Sequence, residues 1–497
     1  MEQWRKLQNG SDVRGVALEG VLGEAVNLTE DASRAIGFAF GGWLASRSEK
    51  QGLRVAVGHD SRLSAAAIKA AVFQGLEQAD CAVFDAALAS TPAMFMSTIF
   101  EQHGYDGAIM LTASHLPFNR NGMKFFTRDG GLEKKDIKAI LDAAVAAEVL
   151  PEEPLRSVTP ITLMDDYAAH LVGVIRSGAG SDTPLAGLKI VVDAGNGAGG
   201  FFVGSVLEPL GADTTGSQFL DPDGAFPNHI PNPEDAEAMD AIINAVQETG
   251  ADLGIIFDTD VDRAGAVDKH GVPINRNRFI ALMAAIVLEE HPGSTVVTDS
   301  VTSTGLQKMI EQKLGGRHHR FQRGYRNVIN ESIRLNAVGE ASWLAMETSG
   351  HGALKENYFL DDGAYQIAKI LTKVAQLQAD NAGTIDQLIT DLEEPVEATE
   401  FRPVITVDDF STYADVVLEA FLMFVEETEG WSLTPDNHEG VHVTCAPGFG
   451  SGWILLRKSL HDPQMPTNIE SDMRGGVAQI KASVDEFLSG FDGLRLP

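Results

Sequence analysis

Short apolar runs that end in polar or glycine turns, each leading into a helical pattern, set the grammar of most of this chain. Leu53–Val57 ends at Gly58-His59-Asp60, Gly107–Leu111 at Thr112-Ala113-Ser114, and Leu188–Val192 at Asp193. Leu253–Phe257 and Thr295–Val297 follow the same form. Strands alternating with helices predict mostly parallel sheets flanked by helices. Ligands then gather beyond the carboxyl ends of the strands, where the polar turns fall. The apolar run Phe279–Leu288 is about half of a membrane span, which predicts a buried helix. After Glu393–Pro403, acidic and punctuated by proline, the pattern changes. Val404–Val407, a helical Asp409–Thr428, and the runs Val441–Thr444 and Trp453–Leu456 around a glycine-rich turn predict an α+β module containing a hairpin.

Further breaks at Glu148–Pro154 and His270–Val272 divide the remainder, giving expected domains 1–153, 154–272, 273–394 and 395–497. A chain of 497 residues is too long for a single core. No apolar segment behind a basic start marks the first thirty residues as a secretory signal. The two cysteines, Cys81 and Cys445, stand far apart and outside any metal-ligand spacing. A reducing, cytoplasmic setting is expected. The net charge of −32 argues against nucleic acid and anionic membranes as partners. Against that balance the basic clusters Arg317-His318-His319-Arg320 with Arg323 and Arg326, and Arg457-Lys458, are informative.

Candidate chemistry concentrates behind Leu253–Phe257, where Asp258, Asp260 and Asp262 alternate and Arg263 follows. In near-extended backbone, alternate residues share a side, so three carboxylates converge and call for a cation. A hard divalent ion, magnesium first, suits oxygen ligands. An EF-hand loop needs glycine at its sixth position and glutamate at its twelfth, where this chain has Arg263 and Lys269. Ser114, exposed on its turn beside His115 and near Lys124, suits a nucleophile or phosphate carrier. The G-x-S-x-G of an α/β-hydrolase is broken by the spacing around it.

Thr112-Ala113-Ser114-His115-x-Pro117, Asn121-Gly122-x-Lys124, the D-x-D-x-D-R at 258–263 and Glu347-Thr348-Ser349-Gly350-His351 occur in this order, about a domain apart. With Ser11-Asp12-Val13-Arg14-Gly15, Asp223-Gly224-x-Phe226-Pro227, Pro231-Asn232-Pro233-Glu234 and Arg457-x-Ser459-x-x-x-Pro463, they make the chain resemble the α-D-phosphohexomutase superfamily. The resemblance implies an α/β fold: three related mixed-sheet α/β domains plus a C-terminal α+β domain around a central active-site cleft. It implies an intramolecular phosphotransferase that interconverts hexose 1-phosphate and hexose 6-phosphate, of glucose, mannose or both.

By the same resemblance Ser114 carries the phosphoryl group, with a bisphosphate intermediate and hexose 1,6-bisphosphate as activator. Mg2+ is held by Asp258, Asp260, Asp262 and the phosphorylated Ser114. Catalytic roles fall to Ser114, His115, Lys124, Arg263 and His351. Arg14, Arg326, Glu347, Ser349, Arg457, Ser459 and His461 bind substrate. A monomer or homodimer acting on a small hexose phosphate is expected. Leu116 and Thr259 stand where the family usually has Asn and Gly, and Leu460-His461-Asp462 depart from its usual C-terminal phosphate loop.

Four rivals accompany this reading. Asn121–Phe126 also resembles phosphoglucosamine mutases. The altered C-terminal loop suggests a non-catalytic phosphosugar binder, and water could replace the sugar acceptor in a phosphatase. Gly195-Asn196-Gly197-Ala198-Gly199-Gly200 fits G-x-G-x-x-G after a strand, with Asp213 near the place of a ribose acid, as in an NAD-dependent oxidoreductase.

Overall fold

The computed structural model describes residues 2–147, 150–459 and 462–497. Two compact units emerge: one runs to Phe279 and takes in Ser349–Gln387, the other comprises Ile280–Thr348 and Leu388–Pro497.

In the first unit an eight-stranded mixed sheet has Gly107–Leu111 and Ala82–Leu88 parallel to Arg54–His59 on either side. Arg120–Thr127 pairs antiparallel with both Gly107–Leu111 and Asp12–Val16. The helix Glu30–Ala45 starts where the Thr29 hydroxyl accepts from Ala32 N at 3.2 Å, with Glu30 and Asp31 in its first turn. It buries Ile36 and Phe40 over the sheet, the Phe40 ring 4.9 Å from that of Phe125. A second, four-stranded sheet sets Leu253–Phe257 parallel to Ile190–Asp193 and antiparallel to Ala264–Asp268. Phe257 pairs with Ala264, so residues 258–263 are the connection of a hairpin. The helix Gly363–Asp380 is capped by Asp362, whose carboxylate accepts from Tyr365 N at 2.8 Å and from the Tyr167 hydroxyl at 2.6 Å.

In the second unit Thr295–Asp299 lies between two parallel neighbours, Arg317–Phe321 and Ser342–Met346. Ile280–Leu288, within the helix Arg276–Glu290, is at most 8% exposed throughout, as the unbroken apolar run predicts. The C-terminal segment forms an antiparallel five-stranded sheet in the order Glu397–Phe401, Thr467–Ser471, Gly452–Leu456, Val441–Cys445, Trp431–Leu433. Phe421 and Val484, from the helices Phe410–Glu427 and Gly476–Leu488, share its core with Ile454 and Ile469.

The expected helix behind Gly195–Gly200 differs: after a short turn the chain enters the π-helical Val203–Leu207 and the 3-10 turn Glu208–Leu210. Pro209, lacking an N–H, helps end any regular continuation. Cys81 and Cys445 are both buried and free. No helix among the described residues is long and apolar enough to cross a membrane.

Candidate active site

The hairpin connection brings Asp258, Asp260 and Asp262 together, with ligand oxygens within 4.8 Å of one another and the residues at most 1% exposed. They do not converge by strand alternation, the expected reason. Residues 259–262 form turns and bends, and Val261 takes φ 68°, the left-handed region, where a β-branched side chain is strained. The turn is held from outside: Gly363 N donates to Val261 O at 3.2 Å and Thr91 N to Asp260 O at 2.8 Å. The Thr91 hydroxyl adds a 2.5 Å bond to Asp260 Oδ2.

Lys124, from the strand Arg120–Thr127, donates to Asp260 Oδ2 at 3.0 Å and also to Asp262 Oδ2. Arg263 bonds Asp258 Oδ2 through Nε and Nη2, at 3.2 and 3.0 Å, and reaches Asn232 Oδ1 at 3.0 Å. Burial penalises the charge on all three acids. At Asp258 it prevails, reinforced by repulsion from Asp262 and Asp260, and the pKa rises well above the usual range. At Asp260 and Asp262 burial acts the same way but is outweighed, chiefly by the Lys124 ammonium, so both pKa values fall. Asp260 Oδ1 and Asp262 Oδ1 nevertheless remain buried without a hydrogen-bond partner. Orphaned carboxylate oxygens beside a third carboxylate fit a hard divalent cation.

Ser114 sits just past Gly107–Leu111 with φ 50°. Its hydroxyl donates to Asp258 Oδ2 at 3.0 Å and accepts from Arg263 Nη2 at 2.9 Å. Arg263 Nη2 is also 2.7 Å from His115 Nδ1. Loss of water around the His115 ring, then the Arg263 charge, pushes its pKa down to about 3. Arg14 donates to Thr112 O at 2.6 Å and to Asp12 at 2.9 Å, bracing the same turn. His351 Nδ1 lies 2.6 Å from Asp361 and 4.0 Å from Asp262. Burial opposes its charge, yet Asp361 and Asp262 raise its pKa to about 9.

The remaining sequence candidates are divided between the two units. Ser349 opens the segment that belongs to the first unit. In the second unit Glu347, following Ser342–Met346, accepts from Gly324 N at 2.7 Å, and Arg326 lies in the first turn of the helix Tyr325–Ala337. Arg457 is buried, 3.8 Å from Glu439 Oε1, with Nε lacking a hydrogen-bond partner. Ser459 Oγ accepts from Asp462 N at 3.2 Å. His461 lies outside the described residues.

The sequence reading missed Arg62. Paired with Asp60 at 3.4 Å, it donates to the carbonyls of Ser114, Leu116, Pro117 and Arg120, the last three at 2.6, 2.8 and 2.9 Å. One guanidinium thus organises the whole serine turn. Its signal was a charged pair, Asp60-Ser61-Arg62, at the carboxyl end of a buried strand. Thr91 and Asp361 were also missed, and neither stands in a distinctive local pattern.

The glycine-rich turn packs closely against neighbouring backbone. A Cβ at Gly197 would stand 2.6 Å from Thr259 O, and one at Gly200 2.2 Å from Leu220 O. These glycines admit neighbouring backbone rather than a ligand.

The chain matches phosphoglucomutase/phosphomannomutase alpha/beta/alpha domain I over residues 5–150, domain II over 165–271 and domain III over 275–395. These matches and the mixed-sheet fold define the class: an enzyme of the α-D-phosphohexomutase superfamily, a phosphotransferase of the mutase type. The chain is 30% identical to a phosphomannomutase/phosphoglucomutase of Pseudomonas putida over 94% of its own length and 93% of that protein. It is also 30% identical to a phosphoglucomutase of Neisseria meningitidis, over 93% of this chain and 94% of the relative. A crystal structure of a phosphoglucomutase/phosphomannomutase family protein from Burkholderia thailandensis aligns with a TM-score of 0.80 at 28% identity, covering 99% of both chains. The chain belongs to the phosphoglucomutase/phosphomannomutase family.

Proposed function

We propose that the chain transfers phosphate reversibly between the 1- and 6-positions of glucose and mannose phosphates, with Ser114 as the carrier. One observation supports this most: the Ser114 hydroxyl is within hydrogen-bonding distance of both Asp258, at 3.0 Å, and the Arg263 guanidinium, at 2.9 Å. Phosphoryl transfer depends mainly on positioning and charge neutralisation.

Phosphorylated Ser114 gives its phosphoryl group to a sugar hydroxyl. The Ser114 O–P bond breaks as the new ester forms, and the hydroxyl proton leaves. The resulting 1,6-bisphosphate turns end for end and returns its other phosphate to Ser114; added bisphosphate therefore activates. Asp258, Asp260, Asp262 and a phosphoserine oxygen would hold Mg2+, which supplies charge neutralisation at the transferring group. Arg263 grips phosphate oxygens while Asp258 and Asn232 fix its plane. His115, kept neutral, lines the phosphoserine. Lys124 and His351 are the candidates for moving the hydroxyl proton; neighbouring carboxylates favour their protonated forms, so either one takes that proton only after giving its own to the departing Ser114 oxygen. Arg14 steadies the turn and the incoming phosphate. Glu347 and Ser349 take ring hydroxyls; Arg326, Arg457, Ser459 and His461 take the phosphate that is not being transferred. The setting proposed is cytoplasmic.

The test is turnover of glucose 1-phosphate, mannose 1-phosphate and glucosamine 1-phosphate, each primed by its bisphosphate. Glucose or mannose phosphate should be the fastest substrate. Preference for the amino sugar would replace the assignment, and release of free phosphate would indicate a phosphatase. No turnover with any sugar, and no phosphate found on Ser114, would leave only a binding protein.

A further inference from the structure

The basic cluster at 317–320 is not used by the chemistry above. In the second unit it borders a cavity of about 550 Å³ between the edge strand Arg317–Phe321 and the segment Thr434–Thr444. Neither the Ser114 centre nor the residues assigned to the sugar and distal phosphate line it.

Arg320 lines this cavity and makes no ion pair among the described residues. Its guanidinium donates only to neutral oxygens: Thr302 Oγ1 at 3.1 Å, Gln307 Oε1 at 3.0 Å and Ser303 O at 3.0 Å. Two of its five N–H groups are left over. His442, 6% exposed, lies on the same cavity, its ring stacked 4.9 Å from Trp453. Its Nδ1 is 2.7 Å from the Thr434 hydroxyl, and its Nε2 is buried without a partner. With Thr434 donating to Nδ1, the ring proton belongs on Nε2, making a second donor without an acceptor. His318, opposite Thr298 at 2.8 Å, likewise has an unpartnered Nδ1.

The acids that border the cavity, Glu311 and Asp436, are exposed at its rim. Glu470, Glu311 and Asp299 act on Arg320 without pairing with it, and burial pushes the Glu470 pKa up to about 7, which weakens the first of these counter-charges. One wall is aromatic: the His438 ring is 5.1 Å from both Phe321 and His319. The volume exceeds what a bare oxyanion fills and falls within the range of small-molecule sites.

We propose that this cavity binds a small phosphate ester, its oxyanion on Arg320 and His442 Nε2 and its organic body against Phe321 and His438. A charged donor fork with spare N–H groups and a buried ring N–H without an acceptor are both satisfied by one phosphate. A ring or sugar attached to it occupies the rest.

The test follows the histidine ring 15N signals of the full chain while inorganic phosphate, adenosine monophosphate or glucose 6-phosphate is added. Because the readout is local to His442, binding of a sugar phosphate at Ser114 does not confuse it. A saturable shift of the His442 Nε2 signal by at least one ester is expected, with a Kd of about 1 mM or tighter. Arg320→Gln should weaken it at least about tenfold through the lost charge-assisted bonds. His442→Phe keeps the stack on Trp453 and should similarly weaken the heat of adenosine monophosphate binding in calorimetry, a probe that is not a sugar substrate of the Ser114 centre; it decides the matter if Arg320→Gln does not fold. Unligated mutase turnover should be unchanged in His442→Phe. No shift with any of the three probes up to about 10 mM, or equal affinity in the variants, would overturn the site. Inorganic phosphate binding as tightly as both esters would overturn the part given to the organic body. None of these outcomes bears on Ser114 as phosphate carrier.

Discussion

Two charged loops, one in each unit, manage their electrostatics in opposite ways. In the Asp258–Arg263 loop each acid has a cationic neighbour, Lys124 between Asp260 and Asp262 and Arg263 on Asp258, although Asp260 Oδ1 and Asp262 Oδ1 keep no hydrogen-bond partner. Outside contacts from Thr91 and Gly363 hold the backbone. Among the described residues the nearest acid to Arg457 is Glu439, 3.8 Å away, and burial pulls the guanidinium pKa down. The first loop is built before any ligand arrives, as phosphoryl transfer requires. Arg457 keeps its positive charge without a close ion pair, whereas the adjacent Lys458 is paired with Asp415 at 2.7 Å. Removing a charge should therefore be costly to the fold in the first loop and costly mainly to binding in the second.

The largest effect expected is on chemistry. Ser114→Ala should lower mutase turnover by at least about 10³-fold with the far-UV spectrum unchanged. Turnover within tenfold of wild type would remove the carrier role. Asp260→Asn should weaken magnesium binding by about 10- to 100-fold in calorimetry, and an unaltered affinity would contradict the ligand assignment.

The contrast between the loops is tested by a pair. Lys124→Met leaves two buried carboxylates facing each other and should cost about 3–5 kcal/mol in chemical denaturation without metal, part of it recovered by magnesium. Arg457→Met should stay within about 1 kcal/mol of wild type while raising KM more than it lowers kcat. Equal stability losses in both variants would erase the distinction.

A pH effect of intermediate size is expected from Glu470. Its pKa is raised to about 7 by burial from an ordinary 4.5, so the unfolded chain gives up this proton first. Its contribution therefore favours folding least at high pH: stability falls as pH rises from about 4.5 through about 7, by on the order of 2 kcal/mol. Glu470→Gln keeps an acceptor for the Trp453 indole N–H and should flatten that slope in a denaturation series. The smallest change is Val261→Gly: relief of about 1–2 kcal/mol of left-handed strain is opposed by the loss of a fully buried side chain and by the extra freedom of the unfolded chain, so stability should fall by about 1 kcal/mol. A gain of stability would mean that the backbone strain at Val261 outweighs its packing.

Much of the fold could be read in advance because burial leaves a local trace. Gly107–Leu111 and Leu253–Phe257 occur with the expected bounds, and the buried helix around Ile280–Leu288 follows from its unbroken apolar run. The aspartates also cluster as expected, but for another reason. Hairpin pairing of Phe257 with Ala264 forces a turn where alternation suggested an extended strand. The G-x-G-x-x-G spacing misled in a similar way, since a glycine required by a backbone neighbour resembles one required by a phosphate.

Residue types and their spacing by themselves placed strand ends to within about two residues, grouped three acids, and put a serine just past a strand terminus, where it is half-buried. Tertiary structure alone decided which distant groups complete those features. Arg62 gathers four carbonyls of the serine turn from more than fifty residues away, and Thr91 and Lys124 reach Asp260 across separations of 169 and 136. Such partners have no periodicity to betray them. Hydrogen bonds and ion pairs are selected by distance in space, whereas hydrophobic patterning is repeated along the chain.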